Sequence, residues 1–141
     1  MRPIHTTALQ VLGLLLGLSG PAARADVVAV VSSKSPIVAL TTLQIADIFL
    51  GRASRFPNGL TAMPIDLRDG SSERDVFYTK VAAKTPAQIK AYWAKIIFTG
   101  RGQPPKVVPN DLEVKKYLAA NIAAIGYIDE KLLDDTVRRL Q

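Results

Sequence analysis

Cysteine is absent from this sequence of 141 residues, and its single histidine is His5. Without thiols there is no disulfide, no thiolate nucleophile and no Cys/His zinc site, and beyond residue 5 there is no imidazole base. No serine is followed three residues later by lysine, which removes the Ser-x-x-Lys nucleophile as well. Carboxylates alone remain for acid–base work, and their spacing singles out no pair. The sequence therefore points to a protein that is not an enzyme, with no catalytic residue, metal or cofactor assigned.

Long apolar runs are also scarce. Ala8–Leu18 falls short of the ~20 residues a spanning helix needs. Arg2 and His5 precede it, and Pro21 and Ala23-Arg24-Ala25 follow. That succession of charged, apolar and small residues is the pattern of a secretory signal peptide cut before Asp26. With no cysteine to carry lipid, a lipoprotein anchor is excluded. The expectation is a signal peptide over residues 1–25 and one periplasmic domain over residues 26–141, with no membrane span in the mature chain.

Removal of Arg2 and Arg24 leaves that domain modestly basic, from 18 Lys+Arg and 12 Asp+Glu in the whole chain. Its cations are scattered. Solubility is the first reading, with an anionic ligand or an acidic envelope surface as alternatives. Export makes nucleic acid a poor partner.

Taken in order, Asp26–Val31 (DVVAVV) is a β-branched run that predicts a buried strand. Ser32, Ser33 and Lys34 then open a polar loop. Thr41 or Thr42 caps a helix over Leu43–Leu50 that ends at Gly51, with Leu43, Ala46 and Leu50 on its apolar face. Arg52–Leu60 is a loop, and Met63, Ile65 and Leu67 alternate as in a half-buried strand. A helix follows from Ser72 to Ala83. Thr85-Pro86 starts another, whose Ile89, Tyr92, Trp93, Ile96 and Ile97 form a core stripe. Asn110 or Asp111 caps a helix to Ala120, and Ala124–Ile128 is a short strand. Glu130–Asp135 reads as a turn or short helix, with Thr136–Leu140 open between strand and helix. Strands alternating with helices predict an α/β domain.

The turn Arg68-Asp69-Gly70-Ser71-Ser72 is where chemistry concentrates. A strand-to-helix turn aims the first free N–H groups of the helix at one spot. Two hydroxyls and the guanidinium of Arg68 or Arg74 suit that spot to a small oxyanion. Capping alone is the competing reading, because Ser72-Glu73-Arg74-Asp75 has the Ser-x-x-Asp pattern of a capping box.

Leu43–Gly51 (LQIADIFLG), Asp69-Gly70-Ser71, Ala91–Gly100 (AYWAKIIFTG) and Ile125-Gly126-Tyr127 occur in an order that resembles the phosphate substrate-binding proteins of bacterial ABC transporters. The resemblance runs over about Asp26–Ile128. It implies a single-lobe, periplasmic-binding-protein-like domain with a central, mostly parallel sheet flanked by helices. It also implies phosphate or a similar oxyanion as ligand, bound by Arg68, Asp69, Gly70, Ser71, Ser72 and Arg74, with a membrane transporter or envelope protein as partner. The family's turn reads Arg-x-Asp-Gly-Ser-Gly-Thr. Here Leu67 stands at its arginine, with Arg68 one place on, while Ser72 and Glu73 replace its second glycine and threonine. A module that keeps the lobe fold without a ligand, contacting an envelope protein, is the alternative.

Overall fold

The computed structural model describes residues 26–141, so the expected signal peptide over residues 1–25 lies outside the described residues. The element order is β1 (Val27–Ser32), α1 (Thr42–Phe49), β2 (Met63–Leu67), α2 (Ser72–Ala82), α3 (Pro86–Phe98), β3 (Lys106–Val108), α4 (Asp111–Ala120), β4 (Ala124–Asp129) and β5 (Val137–Arg139). A 3-10 turn, Glu130–Leu132, joins β4 to β5.

The five strands form one sheet in the order β3-β2-β4-β1-β5. β3 and β4 run parallel to β2, pairing Asp66 with Val107 and Met63 with Ala124. β1 runs antiparallel to both β4 and β5, with Val30 opposite Gly126 and Arg139. The sheet is therefore mixed, where the sequence suggested mostly parallel. Helical crossovers through α2–α3 and through α4 return the chain in one direction and make β2, β3 and β4 parallel. No crossover of that kind constrains β1 or β5.

Both faces of the sheet are covered, which is why all six residues of β1 are buried. On one face α1 and α2 contribute Phe49, Phe77 and Tyr78. There the Phe77 ring stacks on Tyr127 of β4 at 4.0 Å and 9°, with Phe49 edge-on to Phe77 at 4.7 Å. On the other face α4 lays Val114 and Leu118, both fully buried, over the strands. Gly126 makes that close approach possible, since a Cβ there would stand 2.5 Å from Val114 Cγ1.

The helix starts follow their caps. Thr41 and Thr85 each close a capping box with the glutamine three residues on, and Asn110 caps α4. α2 departs from expectation. Its cap is Ser71, whose hydroxyl accepts from Arg74 N, so Ser72 sits in the first turn and the Ser72–Asp75 box does not form. Leu43, expected inward, is instead 66 % exposed, while Ile45, Ala46, Ile48 and Phe49 carry the buried face of α1. Ile97 is likewise outside the core while Ile89 and Trp93 are in it. β3 was not legible as a strand. Glu130–Leu132 and β5 resolve the two readings left open at the C-terminus, as 3-10 turn and strand.

Candidate functional site

β2 ends at Leu67 and the chain turns sharply through Arg68-Asp69-Gly70 into α2. Gly70 has φ +89°, with nothing within 4 Å of where a Cβ would be, so the backbone conformation and not crowding calls for glycine. The turn places Ser71 in extended conformation at the N-cap, its Oγ accepting from Arg74 N at 3.3 Å. The same hydroxyl and that of Ser72 both donate to one oxygen, Glu73 Oε2, each at 3.1 Å. A carboxylate oxygen thus sits at the N-terminus of α2 and engages both serine hydroxyls.

The two arginines part company. Arg68 stays exposed at the rim, its Nη2 donating to the carbonyl of Pro109 at 3.3 Å and so bridging to the segment ahead of α4. Arg74 turns inward beneath the turn. Its Nη1 lies 3.4 Å from Asp69 Oδ1, its Nε 3.5 Å from Asp66 Oδ1, and its guanidinium 5.3 Å from the centre of the Tyr78 ring. Arg74 Nε has no hydrogen-bond partner.

Asp66 is the residue that sequence reading missed. Alternation along β2 places it opposite Ile65 and Leu67, which in a sheet with one wet face means solvent. Here that face is roofed by α2, and Asp66 is only 2 % exposed. It accepts from Tyr78 OH at 2.6 Å, from Leu67 N at 2.8 Å, and from Tyr127 OH. Tyr127 OH in turn accepts from Leu67 N at 3.1 Å. Burial raises the Asp66 carboxyl above its ordinary range, opposed by the two tyrosine hydroxyls and by the charge of Arg74. Burial also pushes both phenols far above the usual tyrosine range, and the neighbouring carboxylate pushes the same way. The signal in sequence was a lone acid inside an apolar strand, flanked in the fold by tyrosines at distant positions.

Beyond the turn opens a cleft of about 740 Å³, at the carboxyl ends of the parallel strands β2 and β3. Open α/β sheets place their ligands at such a crevice. Arg68, Asp69, Gly70 and Ser71 line it on the α2 side, and Asn110, Asp111 and Leu112 on the α4 side. Two helix N-termini therefore face one space. Of the six candidate residues, four line the cleft. Ser72 reaches it through Glu73, and Arg74 stands behind Asp69. Three carboxylates, Asp69, Glu73 and Asp111, share this lining with the one cation Arg68. Asp111 accepts from Asp129 N at 3.0 Å; half-burial, and then the charges of Glu73 and Asp129, raise its carboxyl.

The polar loop after β1 does not contribute. Arg138 spans it instead, donating to the carbonyls of Ser33, Ser35 and Ile37 at 2.7–2.9 Å. Among the described residues no group of three or more His, Cys, Asp or Glu side chains is placed to hold a metal ion, and no helix is long and apolar enough to cross a membrane.

No protein-family model and no curated protein matches the chain. Solved structures do. A protein from Clostridium perfringens described as a phosphate ABC transporter substrate-binding protein, with bound phosphate, superposes with a TM-score of 0.65 at 22 % identity, covering 82 % of this chain and 44 % of that one. An ABC-type phosphate transport receptor from Vibrio cholerae gives 0.63 at 19 %, over 82 % and 45 %. The likeness shows the fold: an α/β unit of the periplasmic-binding-protein type. The chain spans less than half the length of either protein.

Proposed function

We propose that this chain is an exported solute-binding module that takes inorganic phosphate or a similar oxyanion at the turn between β2 and α2. The donors are the hydroxyls of Ser71 and Ser72 and the first amides of α2, shaped by Gly70. Arg68 supplies charge from the rim, and Asp69, braced by Arg74, orders the turn. The single observation that carries this reading is Glu73. Its carboxylate oxygen already receives both hydroxyls at a helix N-terminus, so the turn has the donor geometry of an oxyanion site. A ligand must displace that carboxylate. The bound phosphate of the neighbour from Clostridium perfringens supports the ligand class. Location in the periplasm and delivery to a membrane transporter complete the reading.

A second reading is favoured by the same contacts. Glu73 occupies both hydroxyls and Arg74 pairs with Asp66 and Asp69, so the serine hydroxyls and the charge of Arg74 are engaged within the chain. On that reading the chain is a ligand-free module that contacts an envelope protein. Calorimetric titration with phosphate and sulfate at low salt separates the two. On the binding reading Glu73→Thr tightens phosphate, because a competing carboxylate leaves, and Ser71→Ala weakens it by ~1.5–3 kcal/mol, the scale of a hydrogen bond to a charged group. Phosphate at about 100 times its dissociation constant adds ~2.7 kcal/mol of stability, visible in a melt. No heat and no melting shift at millimolar phosphate, in the parent and in Glu73→Thr alike, sinks the binding reading and leaves the interaction module.

A further inference from the structure

α3 has two apolar faces and only one is covered. Inward, Ile89 and Trp93 are buried against the body of the domain. Outward, Ala87, Ala91, Ala94 and Phe98 recur at helical spacing and all are exposed, Phe98 by 92 %, with Ile97 beside it at 57 %. On a helical projection Lys90 and Lys95 flank this outer stripe, one on each side. A surface helix ordinarily turns charged residues of both signs to water, so an alanine stripe ending in a bare phenylalanine needs a covering.

The charge along this stretch of the chain is of one sign. From residue 76 to residue 110 there is no aspartate or glutamate. Lys84, Lys90, Lys95, Arg101 and Lys106 fall in that stretch, and among the described residues none of the five forms an ion pair. Lys80, the sixth, is held by Asp26 at 3.6 Å. A second copy meeting the first through α3 would set lysine against lysine with no carboxylate to receive it, so self-association does not cover the face. Lysines flanking an apolar strip, their stems lying along it and their ammonium groups outward, are the arrangement of a helix lying in a lipid interface.

We propose that the outer face of α3 and the loop after it dock on an anionic lipid surface. Phe98 and Ile97 enter the boundary between headgroups and acyl chains, and Lys90, Lys95 and Arg101 meet the lipid phosphates, while Lys84 and Lys106 lie over the rings of Tyr92 and Tyr117. This is independent of the oxyanion site, which opens from the turn at the start of α2 and the start of α4.

The test is vesicle flotation of residues 26–141, whose core is contiguous and which lack the apolar run 8–18 that would bind lipid by itself. Phosphatidylcholine vesicles with and without phosphatidylglycerol serve as probe, at low and high salt. Binding is expected only with phosphatidylglycerol and is expected to fall with salt. Lys90→Glu with Lys95→Glu should lose at least about 25-fold in partitioning, from roughly fivefold per cation. Phe98→Ser should lose about tenfold, the contribution of its buried apolar area. All three positions are exposed, so unchanged melting temperatures confirm that the variants fold. Failure of the parent to float with phosphatidylglycerol vesicles at low salt overturns the proposal, as it must if an acidic protein covers this face. Flotation unaltered by Phe98→Ser or by the double charge reversal overturns it equally.

Discussion

Tyr78→Phe removes a single oxygen, and the structure specifies what that oxygen does. Tyr78 OH is the donor to Asp66 Oδ2, at 2.6 Å, whereas Oδ1 keeps Leu67 N at 2.8 Å and Tyr127. The ring itself stays packed edge-on to Phe77 at 5.3 Å, so no cavity opens. What is lost is one buried hydrogen bond to a carboxylate, ~1.5–3 kcal/mol. At about 4 °C per kcal/mol for a domain of this size, the melting temperature should fall by ~6–12 °C near neutral pH. The loss carries a pH signature. Burial holds the Asp66 carboxyl above its ordinary 3.8, so in acid the folded chain keeps this proton where the unfolded chain has released it. The stability that this retained proton confers is present in full below about 3.8 and is lost as pH rises through the folded value. Removing the tyrosine donor raises the carboxyl further and so extends that loss to higher pH. Urea unfolding of Tyr78→Phe and the parent, in acid and near neutrality, should therefore show a smaller difference in acid, where the broken bond is between neutral groups and is worth ~0.5–1.5 kcal/mol. A difference below ~0.5 kcal/mol at neutral pH, or one equal at both, would refute a buried, charged Asp66 held by Tyr78.

Two further substitutions probe the packing that positions the turn. Gly126→Ala should destabilise by ~1–3 kcal/mol, since its Cβ would stand 2.5 Å from Val114 Cγ1 in the middle of β4. Val114→Ala in the same chain should recover part of that loss, and strictly additive unfolding energies would deny the contact. Trp93→Ala should cost ~3–5 kcal/mol in denaturant unfolding, because the indole is 6 % exposed and its ring covers Gly51. Trp93→Phe should cost far less, as the indole N–H has no hydrogen-bond partner to lose; a full-size loss there would point to a missed partner.

Where sequence and fold agree, the determinant is local. Thr41, Thr85 and Asn110 cap helices because a side-chain oxygen three residues from a free amide needs nothing distant. β-branched density made β1 legible, period-2 alternation β2, and Gly70 the sharp turn ahead of α2. The turn's capacity to gather donors at one point was equally readable, since a cap and an oxyanion site ask for the same residue types.

Tertiary structure decided the rest, through contacts between residues far apart in the chain. β3 is three residues in a proline-flanked loop, and only parallel pairing with β2 makes it a strand. β1 and β5 run antiparallel because of where they dock, which no local pattern encodes. Ser71 rather than Ser72 became the cap once the turn geometry was set. Roofing of β2 by α2 made Asp66 the buried partner of Tyr78, 12 residues on, and of Tyr127, 61 residues on. Arg74, one of two candidate cations for the ligand, was drawn behind the turn by that buried charge. Its distance from the cleft follows from the cost of leaving a carboxylate unpaired in the core, a quantity that exists only when the chain is folded.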